Sequence, residues 1–401
     1  MRKITILLIA VLIFSCQQDT TEFLYSGLYR AELKIKDNLN LPFLFKVKDA
    51  NTLEIYNAEE VITVDEISYK NDSVFIQMPV FESYIKAKVE NKIITGQFIT
   101  EGKDRSVPFT AKPEKTRFNT SNLPKTNISG NWETTFSPNS DDSYKAKGIF
   151  KQNGNTVTGT FRTETGDYRY LDGVISGNQM QLSTFDGSHA FLFTATVTDS
   201  TLNGTFYSGN HWEEPFIAKR NDDFKLADAN TLTYLKDGYE TLEFTFPDEN
   251  GNQISLTDDR FKNKVVVVQI MGTWCPNCLD ESNYYAQYYN NNKDKAIEFV
   301  ALAFEYAKTE EVAFKNIKRL KDRVGINYPI LLAQTGTTSK SKANEKLPML
   351  NNVLSYPTSI FIDKTGKVRK IHTGFNGPAT GEKFTEFKEE FTTFMDGLLA
   401  E

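Results

Sequence analysis

The chain has 401 residues, which exceeds one ordinary domain and predicts roughly two to four. Hydrophobic residues make up 39% and charged residues 24%, as in a soluble globular protein, and the formal net charge is −6. No basic patch stands out in the sequence, which argues against a nucleic-acid partner.

The N-terminal stretch has the outline of a secretory signal peptide, which we assign to residues 1–15. Arg2 and Lys3 give it a positive start. The apolar run 4–14 that follows is too short to cross a bilayer core of roughly 30 Å as a helix. The sequence therefore predicts export rather than a membrane-spanning helix.

The end of this stretch, "IFSC", resembles a bacterial lipobox, although Phe14 is bulkier than the residue usual there. The resemblance implies that the signal is cleaved before Cys16 and that this cysteine is acylated. Residues 16–24 would then form a lipid-anchored linker. A plain signal peptide followed by a chance cysteine is the alternative.

The next part of the chain has an all-β pattern. Short alternating runs such as "RAELKI", "SVFIQM" and "TVTGTF" are separated by Gly, Asn, Asp and Ser. Three motifs recur in order: "SGLYR" and "SGNWE", "ITGQF" and "LNGTF", "PFTAK" and "PFIAK". We predict two tandem antiparallel units, each a small barrel or sandwich, over 25–115 and 126–222. The join is polar and contains prolines; one larger two-lobed sheet is the alternative. "FDGSHAF" (185–191) is interpreted as a hairpin turn.

The C-terminal part has an α/β pattern, which we assign to a domain over 238–401. "KVVVVQI" (264–270) and "AIEFVALAF" (296–304) are apolar on both faces, as buried strands of a parallel sheet are, and helical patterns follow them. The polar segment 333–350 is predicted to be a loop near the site described next.

Two of the three cysteines in the chain form the motif Cys275-Pro-Asn-Cys278, which lies between a predicted buried strand and a predicted helix. At a helix N-terminus, unpaired N–H groups and the helix dipole stabilise a thiolate and lower the cysteine pKa. Cys275 is therefore the predicted nucleophile, and Cys278, one turn further on, the resolving thiol. Trp274 can shield one side of the site, and Pro276 suits the first helical turn because it needs no donor there.

A zinc site and a structural disulfide are less well supported roles for this pair. Zinc normally needs four ligands, but the chain has no second CxxC and only the scattered His189, His211 and His372. A structural disulfide over so short a loop would add little stability. A chance surface pair stays open. The prediction is a redox-active disulfide that uses neither a metal nor another cofactor.

Residues 240–400 resemble the thioredoxin superfamily and, more closely, the TlpA/ResA-like lipoprotein thiol–disulfide oxidoreductases, which are related to the AhpC/TSA peroxiredoxins. The resemblance rests on the segment "FTFPDENGNQISLTDDRFKNKVVVVQI", on "GTWCPNCLDE", close to W-C-x-x-C-x-x-E, and on "SYPTSIFID". It implies a thioredoxin-like fold for this domain and a thiol–disulfide oxidoreductase activity.

The resemblance also implies roles for particular residues. Pro357 would be a cis-proline beside the cysteines, and the backbone of Tyr356 would pair with a substrate strand. Glu281 would accept the proton of Cys278 as a general base; an ordinary exposed helix glutamate is the alternative. Asn283 stands where the family often has proline.

Together these features predict an envelope enzyme that exchanges disulfides with partner proteins, more as a reductant than as an oxidant. The lipid on Cys16 would hold it at a membrane facing the periplasm. The outer membrane is favoured by resemblance to lipoprotein sorting, because no acid stands directly after this cysteine. Its electron donor would be an unidentified membrane or periplasmic protein. The alternatives are a ligand- or protein-binding β lipoprotein with an accessory redox domain, and a thiol peroxidase, which Gly272 disfavours because peroxidases carry threonine there.

Overall fold

The computed structural model describes residues 23–401, so the predicted signal and Cys16 lie outside the described residues. Within this range two antiparallel β regions are followed by an α/β domain. The predicted fold class, all-β units followed by an α/β domain, is confirmed. The chain segment 23–401 contains no helix with the length and apolar character that crossing a membrane requires.

The first β region is an antiparallel sheet with two free edges, called the open sheet here. Its strand order is β4-β3-β2-β1-β9-β8-β7-β6-β5, and no pairing joins β4 to β5 among residues 23–401. A short 3₁₀ helix, Glu101–Lys103, precedes the last strand. The strands are β1 (Gly27–Lys36), β2 (Leu39–Asp49), β3 (Thr52–Asn57), β4 (Glu60–Val64), β5 (Glu66–Lys70), β6 (Ser73–Gln77), β7 (Ser83–Glu90), β8 (Ile93–Thr100) and β9 (Arg105–Pro113).

The second β region closes on itself and is called the barrel here. Its strands are β10 (Gly130–Phe136), β11 (Tyr144–Asn153), β12 (Thr156–Thr163), β13 (Gly166–Asp167), β14 (Leu171–Ser176), β15 (Gln179–Phe185), β16 (Ala190–Val197), β17 (Thr201–Ser208) and β18 (Trp212–Arg220). β11 pairs with both β10 and β12, and this second pairing closes the sheet. The interior is filled by large aromatic side chains, among them Trp132, Phe136, Phe161, Phe193 and Phe216.

The recurring sequence motifs lie on equivalent strands of the two β regions. The first pair lies on β1 and β10, the second on β8 and β17, and the third on β9 and β18. β1 pairs with β9 just as β10 pairs with β18, in both cases antiparallel. The division into units at 25–115 and 126–222 stays a prediction.

The α/β domain is built on a mixed sheet with the order β23-β22-β21-β24-β25. β21 and β22 are parallel to each other and buried along their whole length. β24 is antiparallel to β21, and β25 is antiparallel to β24. The strands are β19 (Thr245–Pro247), β20 (Gln253–Ser255), β21 (Val265–Met271), β22 (Ile297–Phe304), β23 (Ile330–Gln334), β24 (Thr358–Ile362) and β25 (Val368–Thr373). The helices are α1 (Pro276–Asn291), α2 (Glu310–Val324), α3 (Lys340–Lys346) and α4 (Glu382–Ala400), with a 3₁₀ turn at Pro378–Thr380.

The segment 333–350 differs from the predicted loop. It ends β23 and contains the short helix α3, whose start is capped by the Ser339 hydroxyl accepting a hydrogen bond from the Lys342 amide at 3.4 Å. Ala343 within this helix and Leu347 at its end are buried. The polar composition concealed this helix because its apolar contacts are few, and α3 brings Lys340 to the edge of the site.

Candidate active site

The turn that carries the two cysteines lies between the central strand and the first helix. Cys275 caps α1, and its Sγ accepts a hydrogen bond from the Cys278 amide at 3.1 Å. The two cysteines form a disulfide, with their Cα atoms 5.2 Å apart. Cys275 is 6% exposed and Cys278 is fully buried. Cys275 is thus the sulfur nearer to solvent, and its place at a helix N-terminus favours a thiolate once the bond is reduced.

The loop before β24 packs against this turn. The peptide bond between Tyr356 and Pro357 is cis, as the resemblance implied. The Tyr356 carbonyl oxygen lies 3.5 Å from Cys275 Sγ, and the Trp274 ring stands edge-on to the Tyr356 ring at a centroid distance of 5.6 Å. Pro276 occupies the first position of α1. The structure therefore brings together these predicted site residues around Cys275.

Glu281 lies beneath the cysteines, inside the α/β domain. Its carboxylate accepts hydrogen bonds from Gln269 Nε2 at 2.8 Å, from Ser359 Oγ at 2.9 Å and from the Tyr285 hydroxyl at 3.2 Å. Burial raises the pKa of Glu281 to about 7, although these hydrogen bonds act in the opposite direction. The alternative of an exposed helix glutamate is wrong. A carboxyl with a pKa near neutrality is suited to exchanging a proton at physiological pH.

A second buried carboxyl, Glu305, was missed by the sequence interpretation. It follows β22 and accepts hydrogen bonds from both the amide and the hydroxyl of Thr273, each at 2.7 Å. Burial raises the pKa of Glu305 to about 7. Its contacts fix the turn just before Trp274. A signal was present, because an acid is unusual directly after an apolar run such as "FVALAF", which predicts a buried strand.

The barrel covers the cysteine turn, which the sequence did not indicate. The predicted hairpin turn in "FDGSHAF" joins β15 and β16, and its Ser188 hydroxyl donates to the Trp274 carbonyl oxygen at 3.0 Å. On the other side, the Ser355 hydroxyl donates to the Thr165 carbonyl oxygen at 3.0 Å. Two loops at the same rim of the barrel therefore contact the two loops that surround Cys275.

A further set of contacts fixes this rim. Asn277 Nδ2 donates to the Asp167 carbonyl oxygen at 3.2 Å, and the Gly377 amide donates to the Asp167 carboxylate at 2.6 Å. Gly166 lies so close to Asn277 that a Cβ added to this glycine would overlap with the amide nitrogen. Because Gly166 has no side chain, the barrel backbone lies directly on the Asn277 side chain in the first turn of α1.

Arg169 links three parts of the molecule at this place. It is buried and forms ion pairs with Glu60 of the open sheet at 2.6 Å and with Asp280 of α1. The carboxylate of Asp186, in the barrel, lies 3.5 Å away. Burial alone would lower the pKa of Arg169, but Glu60, Asp186 and Asp167 outweigh it and raise this pKa. The guanidinium therefore stays charged and holds the helix that carries the cysteines.

A cavity of about 510 Å³ lies between the barrel and the α/β domain and leads to Cys275. Its walls come from both sides and are rich in aromatic rings. The lining includes Trp274, Cys275, Pro276, Asn277 and Tyr356 on one side, and Tyr144, Tyr168, His189 and Phe191 on the other. Within residues 23–401 no cluster of three or more His, Cys, Asp or Glu side chains is placed to hold a metal ion.

Known proteins resemble the part of the chain that carries this site. A family model described as Redoxin matches residues 236–387. The thiol-disulfide oxidoreductase ResA of Bacillus thuringiensis subsp. konkukian is 31% identical over 155 residues, which are 39% of this chain and 78% of the relative. The chain belongs to the ResA-like thiol–disulfide oxidoreductases of the thioredoxin superfamily. Cys275 and Cys278 are the only cysteines in the matched region.

Two further similar proteins are thiol-disulfide oxidoreductases. The thiol-disulfide oxidoreductase ResA of Bacillus subtilis is 29% identical over 140 residues, or 35% of this chain and 69% of the relative. A solved structure of a thiol-disulfide oxidoreductase from Bacteroides fragilis NCTC 9343 is 21% identical, covers 37% of this chain and 99% of that chain, and has a TM-score of 0.27. The Redoxin match over residues 236–387 places the family on the α/β domain, and protein thiols and disulfides are the partners that the family's activity implies.

Proposed function

We propose that this ResA-like enzyme reduces disulfides of partner proteins in the cell envelope, with Cys275 as the nucleophile and Cys278 as the resolving thiol. The observation that supports it best is the position of Cys275 as the cap of α1. There its sulfur accepts the Cys278 amide hydrogen and is the only one of the pair with any exposure. A thiolate at this position is stabilised before a substrate arrives.

The exchange proceeds in two displacements. The Cys275 thiolate attacks one sulfur of the partner disulfide; a Cys275–partner bond forms, the partner bond breaks, and the released thiolate takes a proton. Cys278, as a thiolate, then attacks Cys275 Sγ and displaces the second partner thiolate. The partner gains two electrons and leaves as a dithiol, and the enzyme keeps the Cys275–Cys278 disulfide. A dithiol electron donor, a membrane or periplasmic protein, returns the enzyme to its reduced form.

Glu281 acts as the general base in the second displacement. It lies one turn after Cys278 on α1, and Gln269 links the two residues, since its amide reaches both the Glu281 carboxylate and the Cys278 carbonyl oxygen. A base must be unprotonated to accept the thiol proton of Cys278. The pKa of Glu281 is raised to about 7, which is close to neutral pH. The carboxylate can therefore accept this proton and release it again.

The substrate contacts are assigned to the residues around Cys275. Trp274 and Pro276 border the sulfur, and the cis-proline Pro357 holds the Tyr356 backbone beside it. The Tyr356 amide donates no hydrogen bond within the described part of the chain, so this N–H can pair with a substrate backbone.

A trapping experiment tests the exchange. In Cys278→Ser the second displacement cannot occur, so partner proteins should accumulate as mixed disulfides with Cys275 and appear as shifted bands on a non-reducing gel. Cys275→Ser is the matched control and should give no such bands. Absence of any mixed disulfide in Cys278→Ser cells would contradict exchange through Cys275.

The direction of electron flow follows from the reduction potential of the Cys275–Cys278 pair. A potential of about −270 mV, as in thioredoxin, supports a reductant, and one of about −120 mV, as in DsbA, supports an oxidant. Equilibration of the pair against a glutathione or dithiothreitol buffer measures it.

The membrane location rests on the first residues of the chain. A lipid on Cys16 would anchor the enzyme at the outer membrane, facing the periplasm, with residues 16–24 as the tether. Cys16→Ser should move the protein from the membrane fraction to the soluble fraction and abolish labelling with a radioactive fatty acid. Unchanged labelling in this variant would place the lipid elsewhere.

A further inference from the structure

The barrel covers the surface through which a folded partner would approach Cys275. Its 163–169 segment contacts both Ser355, two residues before the cis-proline, and Asn277, two residues after Cys275. Gly374, after β25, packs directly on the backbone of Thr165. The loops around Cys275 are therefore already covered by the barrel of the same chain.

This cover is held by buried charges rather than by a few loose contacts. Arg169 bridges Glu60 and Asp280, and the buried Asp167 carboxylate accepts the Gly377 amide at 2.6 Å. Lifting the barrel from α1 would separate a buried arginine from its partner, which is strongly unfavourable. The cover is therefore expected to stay in place while the enzyme works.

The cavity beneath this cover gives a route to the cysteine, because Cys275 is part of its lining. Its volume of about 510 Å³ lies within the range of roughly 300–1,000 Å³ found for small-ligand pockets. A space of this size excludes a folded domain but admits a few residues of extended chain.

The barrel wall of this cavity carries several aromatic rings among its polar residues. The His189 ring stacks on the Phe191 ring, with centroids 4.3 Å apart and 24° between the planes. Trp274 and Tyr356 line the opposite side. Charged residues at the cavity have both signs, as Lys145, Glu164 and Lys340 show, so the lining selects for an apolar or aromatic group rather than for charge.

Resting on the proposed exchange through Cys275, we propose that the barrel forms the second wall of the substrate site. The substrate disulfide is then carried on an extended, unfolded polypeptide segment with an aromatic side chain beside the cysteine. His189 and Phe191 of the barrel form one side of the space for this aromatic group, and Trp274 of the α/β domain forms the other. The substrate cysteine reaches Cys275 Sγ at the inner end of the cavity.

The test uses the full chain in its reduced form and four disulfide substrates. Two are short peptide disulfides that differ only in having Phe or Gly beside each cysteine. The third is hydroxyethyl disulfide, which has no aromatic group. The fourth is a disulfide-bonded protein, compared in its native form and after its disulfides have been randomised under denaturant.

The variants alter the barrel wall and leave the cysteines untouched. His189→Ala removes a partly exposed ring, and Phe191→Leu keeps an apolar side chain in the barrel so that the fold is preserved. Trp212→Ala is the matched control, because Trp212 is an aromatic residue of the same barrel that is 53% exposed and does not line the cavity.

For the wild type, we expect kcat/KM to be at least tenfold higher for the randomised protein than for the native one, and higher for the Phe peptide than for the Gly peptide. Each wall variant should lower kcat/KM for the Phe peptide by about 2- to 10-fold, the value of one aromatic contact. The rates with the Gly peptide and hydroxyethyl disulfide should stay within about twofold, as should every rate of Trp212→Ala.

Three results would overturn the inference. One is equal reduction of native and randomised protein by the wild type. Another is wall variants that leave the Phe peptide unaffected. The third is wall variants that slow all substrates alike, which would show an effect on the cysteines rather than on a substrate contact. A wild type that reduces none of the four disulfides would instead refute the proposed function, and this inference with it.

Discussion

The open sheet and the barrel share an order of strands but contact the α/β domain in different ways. The open sheet meets α2 through partly exposed ion pairs, in which Arg323 binds Asp65 at 2.7 Å and also Glu66. The barrel meets the cysteine turn through buried groups, above all Arg169. The direction of the strands makes the difference, because β12 and β15 both pair antiparallel with β14, so the loops 163–169 and 186–189 that follow them lie at one rim. The same succession of strands can therefore support a domain or complete its active site.

The largest loss of stability is expected at Arg169, which joins the barrel to α1. Arg169→Met leaves Glu60, Asp186 and Asp280 without their cation in a buried place, and this should cost about 3–5 kcal/mol in the free energy of unfolding. Urea denaturation followed by tryptophan fluorescence measures the loss. A loss below about 1 kcal/mol would mean that the barrel contact is no stronger than the exposed ion pairs of the open sheet.

The next effect is on the pH dependence of stability, and it comes from Glu281 in the α/β domain. Burial raises the pKa of Glu281 from the ordinary 4.5 to about 7, so its stabilising contribution is complete below pH 4.5 and is lost as the pH rises through 7. Glu281→Gln cannot ionise and lacks this loss. Between pH 4.5 and 8 the wild type should therefore lose roughly 3 kcal/mol more stability than this variant.

Unfolding free energies across this pH range provide the measurement. The slope of stability against pH, rather than its absolute value, is informative, because glutamine also changes the hydrogen bonds to Ser359 and Tyr285. Glu305→Gln is the matched variant, since burial raises the pKa of Glu305 to the same value of about 7. Identical slopes in the wild type and Glu281→Gln would show that Glu281 ionises normally.

A smaller effect is expected where the barrel backbone approaches α1. Gly166 has φ +151°, and a Cβ there would overlap with the Asn277 side chain. Gly166→Ala should therefore cost about 1–3 kcal/mol and increase the alkylation rate of reduced Cys275 by separating the barrel from the turn. Gly154→Ala is the control, because Gly154 has φ +58° in the same barrel and nothing lies near its missing side chain. Equal alkylation rates in both variants would show that Gly166 does not set access to the cysteine.

The smallest effect is expected at the open sheet. Arg323→Met removes the ion pairs to Asp65 and Glu66, which are partly exposed to solvent and screened by it, so the cost should stay below about 1 kcal/mol. The cost should shrink further in high salt, where Arg169→Met should keep its full effect. A cost equal to that of Arg169→Met in urea denaturation would remove the distinction between the two β regions.

Much of the fold could be predicted from the sequence, because its periodic patterns reflect local geometry. The uniformly apolar runs that become β21 and β22 and the alternating runs of the β regions were predicted as strands. The helix α3 was missed because its polar sequence gives little sign of its few buried contacts. The sequence does not distinguish a barrel from a sandwich, since the pairing of β11 with β12 depends on which strand edges meet in space.

The candidate site divides in the same way. The CxxC, the proline before β24 and the acid after Cys278 are short motifs with a local chemical meaning, and they could be read in order along the chain. Glu305 lay at the end of a predicted buried strand, but only the structure shows that it receives the hydrogen bonds of Thr273. Arg169 carried no signal, because its three carboxylate partners come from distant parts of the sequence.

The sequence by itself determined the reacting groups: two cysteines at the start of a helix and a proline that can adopt a cis peptide bond beside them. These depend on neighbours within a few residues, which a sequence records directly. The tertiary structure alone decided how a substrate reaches them, because the wall formed by His189 and Phe191 lies more than eighty positions from Cys275 along the chain. Contacts of this kind depend on how closed sheets and helices pack, and no local pattern specifies them.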